Sequence, residues 1–235
     1  MKNENRVNLA AQPLQQGVTS DPYVWIERHQ QVIETNKERN PRLILIGDSI
    51  THYMGGVPDQ DPKRGQDTWN TLFEPYRAVN MGFGFDRTDH VLWRITHGEL
   101  DGISPEGVIL MIGTNNMRPY SEEDTAEAIQ KILDIIHEKL PAAKILLVGV
   151  LPHLSDEEPN RQGRIDHLNS MLAKLDGYAD GKVRFTNAGR DIFLPADGKF
   201  RSDYCCDGTL HPNAEGYRQL GAALRPLIDG WLMKP

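Results

Sequence analysis

The sequence predicts an α/β protein whose parallel sheet is covered by helices on both faces. Short runs of branched aliphatic residues, such as Leu43–Ile46 and Val108–Ile112, stop at glycine, as strands buried on both sides do. Stripes of apolar residues at helical spacing fall between these runs, so strand and helix alternate along the chain. Several runs end directly on polar residues, at the strand ends where open α/β sheets hold their ligands. Right-handed crossovers then join the strands into one sheet.

The elements follow in order. Residues 1–20 are polar, with several Asn and Gln, and read as an extension ahead of one domain spanning 21–235. Asp21-Pro22 suits a helix start, a capping carboxylate followed by Pro at the first helical position. Trp25, His29, Val32 and Ile33 would then share its inner face. Pro41 precedes the first strand, which ends at Gly47-Asp48-Ser49. By itself that ending fits either a reactive serine or a strand end that caps the next helix. Residues 53–67 are rich in Gly, Pro and charge, a loop that either shapes the site or is solvated filler.

The second strand runs from Val79 into the Gly-rich turn Gly82-Phe83-Gly84-Phe85-Asp86 and then a helix. The third ends on Gly113-Thr114-Asn115-Asn116. Ser121 opens the clearest helix, with Asp124 as its capping partner and a core stripe of Ile129, Ile132, Leu133, Ile136 and Leu140 before Pro141. Lys144–Val150 makes the fourth strand, and Ile165, Leu168, Leu172 and Leu175 the next helical stripe. Val183–Phe185 makes the fifth strand. Tyr217, Leu220, Leu224, Leu227 and Trp231 give a final amphipathic helix in which Pro226 predicts a kink.

Composition narrows the function. At 235 residues the chain suits one domain with a full-sized core. Its net charge of −7 argues against nucleic acid as a partner and against docking on anionic membranes. No segment approaches the apolar length of a membrane span, and residues 1–20 lack the apolar centre of a signal peptide. The expected location is the cytoplasm, or outside it if a leader has been removed. Cys205 and Cys206, adjacent and the only two, cannot build a disulfide framework. No HExxH or paired Cys/His spacing suggests a metal, and no cofactor is expected.

A serine, a Gly-rich turn, an asparagine and His211 each close a separate element. Together they supply a nucleophile, backbone N–H donors, a side-chain amide and a base, which are the parts acyl transfer needs. In order and content these four segments resemble the four blocks of the SGNH (GDSL-type) ester hydrolases. The tract Asp86–Leu100, with Ile112–Asn116 and Leu147–Pro152, is similar to the catalytic subunits of intracellular platelet-activating-factor acetylhydrolase and their bacterial relatives. The resemblance implies a flavodoxin-like three-layer α/β/α sandwich with a five-stranded parallel sheet.

The resemblance also implies roles. Ser49 would be the nucleophile, His211 its base, and Asp207 the carboxylate orienting the base. The backbone N–H groups of Ser49 and Phe85 and the Asn115 side chain would form the oxyanion hole, with Asp48 bracing its loop and Asp86 capping the following helix. Trp93 and Arg94 read as packing, and His52, one helical turn past Ser49, as an exposed residue in preference to a substrate contact. The chain departs from the family twice. The usual Asp-x-x-His spacing is stretched by one residue in Asp207-Gly208-Thr209-Leu210-His211, with Gly208 free to absorb the insertion. Asp203 is the fallback partner, and a Ser–His pair aided by a backbone carbonyl is a further possibility. Phe85 also stands where the family has glycine; Gly82 and Gly84 are then expected to supply the tight turn.

The expected activity is hydrolysis of short-chain, above all acetyl, esters, with a carbohydrate or phospholipid-like alcohol part and a homodimer as a possible assembly. Two other readings stay open: a non-catalytic module binding an acylated carbohydrate, and a nucleotide-binding flavodoxin-like protein. The second is the weaker, since Gly47-Asp48-Ser49 places a carboxylate where an anion site needs a Gly-rich loop.

Overall fold

The computed structural model describes residues 6–17, 24–155 and 157–233. Five strands, β1 (Leu43–Gly47), β2 (Val79–Gly82), β3 (Gly107–Met111), β4 (Lys144–Val148) and β5 (Val183–Thr186), form one sheet in the order β2-β1-β3-β4-β5. Every pairing is parallel. The order reverses after β2, so the ends of β1 and β3 flank a switch point where such sheets bind ligands.

Alternation along the strands splits the core in two. Ile44, Ile46, Val108, Leu110, Ile145 and Leu147 face α1 (Trp25–Arg39), α3 (Thr88–Thr96), α4 (Glu122–Lys139) and α5 (Arg161–Leu172). Leu43, Leu45, Ile109, Met111, Leu146 and Val148 face the turns at 66–76, α6 (Ala188–Phe193) and α7 (Ala214–Leu227). This is a three-layer α/β/α sandwich. A four-residue helix, α2 (Ser49–His52), begins directly at the end of β1.

Several expectations hold in detail. Ser121 Oγ accepts the Asp124 N–H at 3.1 Å, and Ile129, Ile132, Leu133 and Ile136 are buried. Residues 53–65 form no regular element, whereas Gln66 and Asp67 at the end of the expected loop open a helical turn over Gln66–Thr68. Strand β4 stops two residues earlier than expected and β5 runs one residue longer. Leu175 leaves the α5 stripe for a 3-10 turn, and Pro226 falls in the last turn of α7, where the helix widens into a π turn over Ile228–Leu232. The expected start at Asp21-Pro22 lies outside the described residues; α1 is described from Trp25.

Residues 6–17 lie against the domain. Leu9–Ala11 forms a 3-10 turn that buries Ala10 and Ala11 against Ala128 of α4. Among the described residues, no helix is long and apolar enough to cross a membrane.

Candidate active site

Ser49 is the first residue of α2, and Asp48 caps that helix by accepting the Ile50 N–H at 2.9 Å. The cap turns the chain sharply out of β1, leaving Ser49 8% exposed at the sheet's edge. Close approach makes this turn possible. A Cβ on Gly47 would meet Thr51 Oγ1 at 2.2 Å, and one on Gly82 would meet the His52 backbone nitrogen at 2.3 Å. The Tyr217 hydroxyl donates to the Ile50 carbonyl at 2.7 Å and ties α2 to α7.

His211 comes from the loop before α7. Its carbonyl accepts the Cys206 N–H at 2.8 Å, while Cys205 and Pro212 form an antiparallel bridge. That small loop delivers His211 Nε2 to 3.0 Å from Ser49 Oγ. Asp207 Oδ2 lies 2.5 Å from His211 Nδ1, so the stretched spacing still joins the pair. Gly208 takes φ +72°, the left-handed backbone that suits glycine. Asp207 Oδ1 accepts the N–H groups of Thr209 and Leu210 at 2.9 and 2.8 Å. Partial burial works to raise the Asp207 carboxyl, but these N–H groups and His211 outweigh it and hold it well below the usual carboxylate range. The fallback, Asp203, pairs instead with Arg201 at 2.9 Å on the surface.

The turn after β2 brings Phe85 and Asn115 together. Phe85 itself holds the left-handed conformation, at φ +63°, which corrects the expectation that Gly82 and Gly84 supply the tight turn. Gly82 serves close packing on α2, and Gly84 is not among the positive-φ residues. Asn115 Nδ2 donates to the Asp86 carbonyl at 2.9 Å. Asn116 faces inward: its Oδ1 accepts the Thr88 N–H at 3.1 Å and its Nδ2 donates to Thr88 Oγ1 at 2.6 Å.

Asn116, together with His90, whose Nδ1 accepts the Arg87 N–H at 3.1 Å, therefore does the capping expected of Asp86. Asp86 is fully buried and accepts Trp25 Nε1 and Arg94 Nε, each at 2.8 Å. Arg94 continues to Glu99, and Glu99 to His29 at 3.0 Å, so Arg94 is the centre of a buried charge network rather than packing alone. His52, expected exposed, is 1% exposed, and burial with the nearby Arg28 charge drives its pKa far down.

A cavity of about 550 Å³ opens beside Phe85 and Asn115, with Arg118, His153, Glu157 and Arg161 on its walls. Phe85 remains 57% exposed there. Arg161 also donates to the Thr114 carbonyl at 3.2 Å, bracing the turn that carries Asn115. Burial and Arg161 lower His153 to about 4, so its ring is neutral near pH 7. Sequence reasoning missed His153 and Arg161; His153 directly follows the tract Leu147–Pro152, a signal that could have found it, whereas Arg161 has no such neighbour. Cys205 and Cys206 are free thiols, and among the described residues no His/Cys/Asp/Glu group could hold a metal ion.

A parallel five-stranded sheet with a Ser–His–Asp chain at its edge is the arrangement of an α/β acyl hydrolase. The sequence profile of the GDSL-like lipase/acylhydrolase family matches residues 45–219, and the chain belongs to that family. It is a carboxylic ester hydrolase. It is 31% identical over 204 residues to human platelet-activating factor acetylhydrolase IB subunit alpha2, covering 87% of this chain and 83% of that one. The bovine alpha1 subunit is likewise 31% identical, over 206 residues, covering 87% and 82% of the two chains. Among solved structures, an acylhydrolase from Bacteroides fragilis superposes with a TM-score of 0.66 at 21% identity, covering 87% of this chain and 97% of that one. An acetylxylan esterase from Geobacillus stearothermophilus superposes at 0.63 with 17% identity, covering 83% and 97%.

Proposed function

We propose that this chain hydrolyses short-chain esters, acetyl esters above all, through an acyl intermediate on Ser49. The Ser49 Oγ···His211 Nε2 contact at 3.0 Å, backed by Asp207, carries this reading. Ser49 Oγ attacks the ester carbonyl as its proton passes to His211 Nε2, and Asp207 holds the Nδ1–H side of the imidazolium that forms. The oxyanion is held by the N–H groups of Ser49 and Phe85 and by Asn115. A primary amide has two N–H bonds, so donation to the Asp86 carbonyl leaves Asn115 one for the oxyanion. Collapse breaks the ester C–O bond, and His211 returns the proton to the departing alcohol. Water, deprotonated by His211, then attacks the acyl carbon and releases the acid and Ser49.

The preference for a small acyl group rests on Phe85, whose ring stands where a glycine would leave space. Relatives at 31% identity are named as acetylhydrolases, which agrees with it. Polar walls at Arg118, His153, Glu157 and Arg161 suit a polar alcohol part, such as an acetylated carbohydrate, better than a lipid tail. Turnover of p-nitrophenyl acetate, butyrate and octanoate tests the reading, with acetate expected fastest and Ser49→Ala inactive on all three. An organophosphonate should label Ser49 stoichiometrically. Wild-type turnover by Ser49→Ala, or octanoate as the best substrate, would overturn the mechanism or the acyl preference respectively.

A further inference from the structure

The stretch 6–17 is anchored along its length. Lys131 Nζ donates to the Ala11 carbonyl at 2.8 Å, Thr88 Oγ1 to the Ala10 carbonyl at 2.9 Å, and the Leu14 N–H to the Asp89 carbonyl at 3.1 Å. Gln16 near its end is 7% exposed. Its Nε2 donates to Asp86 Oδ1 at 2.7 Å and to the Gly84 carbonyl at 3.3 Å. These two acceptors flank Phe85 on either side.

The Gly84 carbonyl and the Phe85 N–H belong to one peptide unit. In a planar trans peptide the C=O and N–H point in opposite directions, so a donor fixed on the oxygen fixes the direction of the hydrogen. Hydrogen bonds in a chain polarise one another, so the same contact makes the N–H a stronger donor. The left-handed backbone of Phe85 is strained for a residue with a Cβ, and the Gln16 contact holds the peptide in that orientation.

We infer that Gln16 is a positioning residue for ester hydrolysis: it clamps and polarises the Gly84–Phe85 peptide so that the Phe85 N–H is preset for the oxyanion. The N-terminal strap thereby serves turnover as well as stability. This inference rests on the oxyanion role proposed for Phe85. It is tested in the full chain by Gln16→Met, which keeps the bulk and loses the donor, and by Gln16→Ala. Lys131→Met is the control, since it loosens the strap and leaves Gln16 in place.

Losing a whole oxyanion donor costs about 10²–10³ in kcat, and loss of its tether should cost part of that, about tenfold. KM for p-nitrophenyl acetate should stay within about twofold, since the donor acts on the transition state. Labelling by the organophosphonate should slow in step with kcat, and Lys131→Met should lower the melting temperature while keeping kcat. The inference is overturned if both Gln16 variants keep kcat, or if Lys131→Met loses as much kcat at the same loss of stability. Ser49→Ala separates the two levels. If it is inactive while the Gln16 variants are normal, only the role of Gln16 fails; if it is active, the acyl-Ser49 reading fails first.

Discussion

Asn115 donates its side-chain amide to the carbonyl of Asp86, 2.9 Å away, and so links the turn after β3 to the turn after β2. Its neighbour Asn116 turns the other way and spends its amide on Thr88. Adjacent residues of the same type thus face opposite tasks.

Asn115→Ala should lower kcat by about a hundredfold to a thousandfold with KM little changed, as loss of an oxyanion donor does. Asn116→Ala should act on stability, because it strips two bonds from buried Thr88 and leaves the Thr88 N–H unpaired, while Oγ1 keeps the Ala10 carbonyl; a buried group left unpaired costs about 1–3 kcal/mol. Steady-state kinetics with urea unfolding of both variants checks this. Reversed effects would shift the oxyanion residue by one position.

Asp207→Asn should cut turnover sharply, because an amide in that place can present its N–H to His211 Nδ1 and favour the wrong tautomer. Asp203→Asn should leave kcat within about twofold, its carboxylate being tied to Arg201 on the surface. If neither change matters while His211→Ala is inactive, the site runs on a Ser–His pair with a backbone carbonyl orienting the ring.

The sheet was legible because each strand announces itself by composition and stops at a glycine or polar residue; Gly47 and Gly82 mark the close approach of α2. The Ser49–His211 contact was legible because both residues close such elements. What escaped depends on packing between segments distant in sequence. His52 looks like an exposed residue one turn past Ser49, yet Tyr53 and the Arg28 side enclose it. Asp86 has the form of a helix cap, but Trp25 and Arg94 claim its carboxylate and leave the capping to Asn116 and His90. The polar character of residues 1–20 gave no hint that Gln16 reaches the turn around Phe85, since a single amide carries no periodicity. The two departures, Phe85 and the inserted residue before His211, left a module without turnover open; Gly208 and the left-handed Phe85 show how the backbone accommodates both.

Asp48 predicts a pH dependence of stability. Burial lifts its carboxyl from 3.8 to about 7; the Ile50 N–H pulls the other way, and the Asp86 charge adds to the rise. Between these values the unfolded chain has released the proton and the native one holds it, so this group's contribution to stability falls as pH rises from about 4 to 7. Below that window both states are protonated and the penalty vanishes. Asp48→Asn keeps an oxygen for the Ile50 N–H and carries no charge. It should therefore gain on the wild type as pH rises, by up to roughly 4 kcal/mol above pH 7, since each tenfold difference in proton affinity between the two states is worth about 1.4 kcal/mol. Urea midpoints at pH 4.5 and 8 measure this; a difference independent of pH would mean Asp48 is ionised in the native protein throughout.

Phe85→Gly separates what the backbone does from what the ring does. The oxyanion donor proposed here is the peptide N–H, which glycine retains, and φ +63° is a conformation glycine adopts freely. Relief of the left-handed strain should offset the entropy glycine loses on folding, so the melting temperature should hardly move. Little packing is lost either, because the ring is more than half exposed. The kcat for p-nitrophenyl acetate should stay within a few fold, while kcat/KM for the butyrate and octanoate esters rises relative to acetate as the cavity beside Asn115 widens. A large loss of kcat on acetate, with the fold intact, would show that the ring itself orients the substrate. An unchanged acyl-chain profile would move the limit on acyl length to another wall of the site.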